Sequence, residues 1–172
     1  MNSETTTETL HITLLGSPGL TRNAEPVTGL AYSRAAALVY YLAATGRSHT
    51  REALSGLFWS ETSDEQARKN LRDVLANLRR VLAPYLTISR QTVSLNSAAP
   101  ILTDSRRFEL HLETARKATD PANKVQALRA AVTLYRGEFL EGVYVAQAPA
   151  FEEWMLAERE RFRQLALHAR HT

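Results

Sequence analysis

The 172 residues are 44% hydrophobic, enough to pack one mid-sized core or two small ones, and carry 21 Lys and Arg against 18 Asp and Glu. With no cysteine, a disulfide framework and a thiolate zinc site are both excluded. No apolar run approaches the roughly 20 residues of a membrane span, and MNSETTTET at the start has neither the basic nor the apolar stretch of a signal peptide, so a cytoplasmic protein without a membrane partner is expected.

The pI of 9.4 permits a nucleic-acid partner without requiring one. The excess of positive charge is local. Residues 31–100 hold nine basic side chains against five acidic ones, whereas 101–172 are nearly balanced at 11 against 10.

Residues 1–9 are expected to be a flexible tail. Leu10 to Leu15 alternates as a strand does, Gly16 to Gly19 supplies a turn, and after a second turn at Arg22 to Pro26 a strand is expected over Val27 to Leu30. The GSPG turn is not a phosphate loop, since no Gly-Lys-Ser/Thr follows it. Ala35, Leu38, Val39 and Leu42 keep helical spacing between Ser33 and Thr45, with Gly46 suited to the left-handed stop. Thr50 can cap a short second helix, REALSGLFW.

The third helix is the longest signal in the first half. Thr62 with Glu65 and Ser63 with Gln66 form two overlapping capping boxes that place its start near Asp64. At 100° per residue, Ala67, Leu71, Val74, Leu75, Leu78, Val81 and Leu82 form one apolar stripe. Lys69, Asp73, Ala76 and Arg80 lie opposite, flanked by Arg68, Arg72 and Arg79 on one side and by Asn70 and Asn77 on the other. Guanidinium and amide groups suit base edges and phosphates in a DNA major groove, although a charged outer face is also the default for a solvated amphipathic helix.

Pro84 stops the helix, and Leu86 to Ser89 with Thr92 to Leu95 predict a hairpin turning at Arg90 and Gln91. Strands, helix, short helix, basic helix and hairpin follow in the order of a winged helix-turn-helix, spanning 10–96. Asn96 to Pro100 predicts a linker. Beyond it, Asp104 is expected to cap a helix to about Ala118 with Phe108, Leu112 and Ala115 inward. Asp120 and Pro121 open another, through Val125, Leu128, Ala131, Val132 and Tyr135, which Gly137 ends. A third, from Pro149 to about Ala169, carries Trp154, Leu165 and Ala166 to cover the pair. Helical pairs of this kind stack into solenoids that need about three units, so 101–172 is expected to be the front part of a longer helical array.

The segments REALSGLFW, ARKNLRDVLANLRRVL, Asp104 at a helix start, LYRGEFLEGV and FEEWMLAERERFRQLAL resemble the SARP-like bacterial transcriptional regulators. The similarity covers nearly all of 10–170. It implies an α+β fold, an OmpR/PhoB-type winged helix-turn-helix followed by an all-α TPR-like activator domain, here partial. It also implies a DNA-binding activator on direct repeats of double-stranded DNA, with RNA polymerase and further copies of the chain as partners and no cofactor. By position, the resemblance places Lys69, Asn70, Arg72, Asp73 and Asn77 at bases or nearby phosphates. Arg79 and Arg80 match phosphate clamps, Trp59 matches an aromatic whose N–H reaches a phosphate, Arg51 opens the second helix, and Arg90 and Thr92 sit at the wing. ISRQTVSL departs from many relatives in lacking glycines and a bulky aromatic at the wing tip.

Trp59 could equally staple its helix to the core, and Arg79 and Arg80 could pair with acidic residues of the second half. The rival function is a protein-interaction module in which the helices do the work. An enzyme is not expected. His111-Leu112-Glu113 lacks the cysteines that a zinc deaminase site needs, and His168 with His171, at a fraying chain end, reads as a solvated pair.

Overall fold

The computed structural model describes residues 6–172; residues 1–5 of the expected tail lie outside the described residues. Alternation in the first strand, β1 (Leu10–Thr13), buries Leu10 and Ile12 and leaves His11 exposed. Ahead of it the chain is already engaged, for the Tyr85 hydroxyl donates to the carbonyl of Glu8. Strands β2 (Gly19–Arg22) and β3 (Glu25–Pro26) follow by antiparallel pairing. The strand expected over Val27–Leu30 does not form. Asn23 and Ala24 turn in the left-handed region at φ 54° and 61°, so Glu25 already pairs with Arg22 and the ladder is used up two residues later.

Helix α1 (Ser33–Thr45) stops at Gly46, whose φ of 66° lets its N–H reach the Leu42 carbonyl. Helix α2 (Arg51–Phe58) is capped by Thr50, and α3 (Asp64–Leu82) by Ser63, whose hydroxyl accepts from the Gln66 N–H at 3.2 Å. Neither expected capping box closes. The Thr62 hydroxyl donates to the Trp59 carbonyl, and the Gln66 side chain turns outward to Asn70. A 3-10 turn at Ala83–Tyr85 absorbs Pro84 before the hairpin of β5 (Leu86–Ile88) and β6 (Thr92–Leu95). A two-residue strand the pattern did not reveal, β4 (His49–Thr50), pairs with β6, so the hairpin rests on the start of α2.

Residues 96–100, expected as a linker, deliver the chain back to the first sheet. Strand β7 (Ile101–Thr103) pairs in parallel with β1, giving the order β3-β2-β1-β7. Parallel neighbours require a long crossover, and here the crossover is the whole of α1, α2, α3 and the hairpin. Helices α4 (Asp104–Lys117), α5 (Pro121–Leu134) and α6 (Pro149–Arg170) complete the chain. On α5, Val125 is 43% exposed, and the packed face uses Ala127 and Ala131, whose short side chains admit a neighbouring helix.

Asp104 does not act as a cap. Thr103 occupies that position, and the Asp104 carboxylate reaches back to accept from the backbone N–H groups of Leu14 at 2.7 Å and Leu15 at 2.9 Å, as well as Ser105 at 2.8 Å. Burial raises its pKa above the ordinary carboxylate value, opposed by these hydrogen bonds and by Arg136. The folded state therefore holds this proton more tightly than the unfolded chain. The group's own contribution to stability rises as pH falls through its raised value and is complete below the ordinary one.

Gly137 was expected to end α5, which instead stops at Leu134. Its role is close approach: a Cβ there would lie 3.2 Å from the Cα of Gly16. That contact lets 138–141 extend the edge of β1, with Leu140 N–H to Leu14 O at 2.8 Å and Gly16 N–H to Glu138 O at 2.9 Å. Aromatic packing continues across the same seam, Phe58 against Phe151 at 5.0 Å and Tyr41 against Trp154 at 4.7 Å, so one apolar cluster runs through both halves.

Replacing Asp104 by Ala leaves the Leu14 and Leu15 N–H groups without acceptors, a cost of about 2–4 kcal/mol. Urea unfolding followed by far-UV circular dichroism and by tryptophan fluorescence is expected to show that loss in a single shared transition. Separate transitions for the two halves would contradict the common core.

Candidate nucleic-acid interface

Helix α3 buries Ala67, Leu71, Val74, Leu75, Leu78 and Leu82 against α1 and α2, which turns the opposite face to solvent. Arg68, Lys69, Arg72, Asp73, Arg79 and Arg80 are exposed on that face, while Asn70 is half-buried at its edge. Asp64 and Glu65 occupy the first turn and Arg79 and Arg80 the last, the arrangement the helix dipole favours.

The hairpin is fastened beside this face. The Arg51 N–H donates to the Gln91 carbonyl at 2.8 Å and its Nε to the Ser89 carbonyl at 2.9 Å, so the start of α2 holds the wing tip. Ser89 closes the turn by accepting from Thr92 N–H at 2.9 Å. Arg90 is exposed at the tip, whereas the Thr92 hydroxyl is occupied by the Ser89 hydroxyl at 3.0 Å. A cleft of about 720 Å³ opens between α2, α3 and the hairpin, bordered by Arg51, Trp59, Arg68, Arg72 and Arg90 together with Glu52, Asp64 and Glu65.

Like charges crowd this surface. Burial, then the charges of Arg79 and Arg72, lower the pKa of Arg51. Ion pairs relieve none of it. Among the described residues every salt bridge lies between Glu109 and Arg163, as in Arg161 with Glu109 and Glu158 at 2.8 Å. Arg79 and Arg80 thus do not pair with acidic residues of the second half.

Two residues read from the pattern stand differently. Asn77 is only 4% exposed: its side-chain oxygen accepts from Ala31 N–H at 3.0 Å and its amide donates to the Gly29 carbonyl at 2.9 Å. It pins the 29–31 loop to α3 and has no free group for a base, which removes it from the DNA-reading set. Trp59 is 6% exposed, packed edge-on against Phe58 at 6.0 Å and under the Arg34 guanidinium at 5.6 Å. It staples α2 to the core while bordering the cleft. The helical wheel placed Arg68 on the flank beside Arg72 but the family resemblance assigned it no contact, and Arg34 went unnoticed because α1 offered no signal.

Residues 103–172 match the family model of the bacterial transcriptional activator domain. The regulatory protein AfsR of Streptomyces griseus is 27% identical over 158 residues, 88% of this chain. Both findings make the chain similar to the SARP-like bacterial transcriptional regulators. It spans 16% of the length of AfsR. The fold is also that of EmbR from Mycobacterium tuberculosis, solved in complex with a low affinity phosphopeptide, with a TM-score of 0.73 at 21% identity over 94% of this chain and 43% of that one. The match to the activator-domain model begins at Thr103, the last residue of β7.

Asn77→Ala is expected to lower stability by about 1–3 kcal/mol, because two backbone groups lose their partner. Its base preference in competition binding should match that of the wild type; a changed preference would return Asn77 to the interface.

Proposed function

We propose that this SARP-like chain is a sequence-specific DNA-binding regulator that activates transcription. Helix α3 enters the major groove, and the β5–β6 hairpin lies on the adjacent backbone. The observation that carries this is the set of cations left without carboxylate partners on one surface: Arg51, Arg68, Lys69, Arg72, Arg79, Arg80 and Arg90, whereas all the ion pairs among the described residues lie in the second half. Seven like charges held together repel one another, and a polyanion relieves that repulsion by exchanging condensed counterions for guanidinium groups.

Within that surface, Lys69, Asn70, Arg72 and Asp73 are the base-reading candidates, since the amino-terminal part of a recognition helix reaches the base edges. Arg79, Arg80, Arg90 and Arg51 hold phosphates. The activator domain, with α4 and α5 joined by residues 118–120 and α6 packed on α5, is TPR-like and supplies contacts to RNA polymerase or to a second copy on direct repeats.

Duplex binding titrated against salt tests the proposal. Log affinity should fall steeply with log salt, and Arg79→Ala or Arg80→Ala should each reduce the slope by about 0.9. Arg72→Ala is expected to cost about 1–3 kcal/mol and to relax preference at one base pair. Equal affinity of the wild type and a Lys69, Arg72, Arg80 triple-alanine variant would refute the assignment.

A further inference from the structure

Arg34 sits where three parts of the molecule meet. It is the second residue of α1, yet its contacts are made elsewhere. Its Nε donates to the carbonyl of Phe58, the last residue of α2, at 3.0 Å. Its Nη2 donates to the carbonyl of Ala146, in the segment of the activator domain that leads into α6. Its Cζ lies 5.6 Å from the centre of the Trp59 ring.

Each contact has a consequence for the DNA cleft. The carbonyls at the end of α2 have no partner inside the helix, and a guanidinium is the strongest neutral-pH donor available to them. The Trp59 face attracts the same cation, which fixes the ring that borders the cleft. A second small cleft joins Arg34, Trp59 and Tyr32 to Asn70, Asp73 and Val74 of α3. The guanidinium is planar and rigid, with five donors in a fixed fork, so its three engagements are geometrically coupled rather than independent.

We infer that Arg34 is a positioning residue that transmits the placement of the activator-domain segment around Ala146 to Trp59 and the end of α2, and so sets the shape of the DNA cleft. This rests on the DNA-binding function proposed above. The coupling runs both ways: a partner that pulls on the segment around Ala146 alters DNA affinity, and DNA binding alters that segment. Because the guanidinium is committed to two carbonyls and a ring, it neutralises no phosphate itself.

The salt titration separates these statements. The 172-residue wild type, Arg34→Ala and Arg34→Lys are each titrated with one duplex over a range of salt. Arg34→Ala is expected to bind several-fold to tenfold more weakly with an unchanged salt slope, and Arg34→Lys, which keeps the charge and one donor, to recover part of the loss. A slope lowered by about one in Arg34→Ala would mean direct phosphate contact and overturn the inference. Unchanged affinity in both variants would overturn it while leaving the DNA-binding proposal intact. Absence of salt-dependent binding by the wild type would remove both. Should Arg34→Ala fail to fold, Arg34→Lys carries the test alone, since it retains the packed stem; equal affinity to wild type would again overturn the inference. The effect of Arg34→Lys on the exposure of Trp59, measured by acrylamide quenching in a Trp154→Phe background, gives a readout independent of DNA. Quenching identical to that of the parent would contradict the positioning role.

Discussion

The hydrogen bonds from Leu14 and Leu15 to the Asp104 carboxylate are the constraint on which the remaining arrangement depends. Just beyond β1 the pairing with β2 ends, and the N–H groups of Leu14 and Leu15 need an acceptor outside that ladder. A carboxylate presented by the first residue of α4 accepts both, so the end of one half becomes the starting point of the other. Pairing of β1 with β7 and docking of 138–141 along Leu14 and Gly16 follow from the same anchorage. The aromatic seam of Phe58, Phe151, Tyr41 and Trp154 then seals the helices of the two halves. Because one apolar cluster is shared, the angle between the basic surface and the activator domain is a property of the core.

The two halves solve the problem of surface charge in opposite ways. In the activator domain, acids and bases alternate at helical spacing and neutralise each other, as in Glu160 with Arg163 and Glu113 with Arg116. On α3 and the wing the bases stand together, and the pKa of Arg51 is drawn down by burial and by its neighbours Arg79 and Arg72. Exposed pairs of the first kind add little stability. Their effect is to keep the activator domain electrostatically quiet, so that long-range attraction for a polyanion originates from one side only.

Much of the fold was legible in the sequence where local chemistry decides it. Thr50, Gly46, Asp120 and Pro121 set helix limits at the expected residues because caps and left-handed stops act within a few positions. The apolar stripe of α3 was readable for the same reason. What the pattern hid depends on partners distant in sequence. Asp104 looks like any N-terminal helix acid, and only its 90-residue reach to Leu14 reveals another use. Gly137 looks like a stop until Gly16 lies against it. Asn77 shares a helical flank with Asn70, but the loop at Gly29 to Ala31 covers one and leaves the other at the edge. For the candidate interface, the helical wheel found the cations on α3, whereas Arg34 was invisible because its meaning lies in a carbonyl at position 146.

The crossover between β1 and β7 also bears on how the protein is made. Its ends are joined only when Ile101–Thr103 is available, and Asp104 follows directly. On the ribosome, β1 emerges with a single hairpin neighbour and waits for most of a hundred residues before its parallel partner appears. The enclosed helices can collapse on each other earlier, but the sheet beneath them stays open on one side. Long closures of this kind slow folding and lengthen the exposure of a strand edge. The amino-terminal sheet is therefore completed only as the chain of the activator domain is being synthesised.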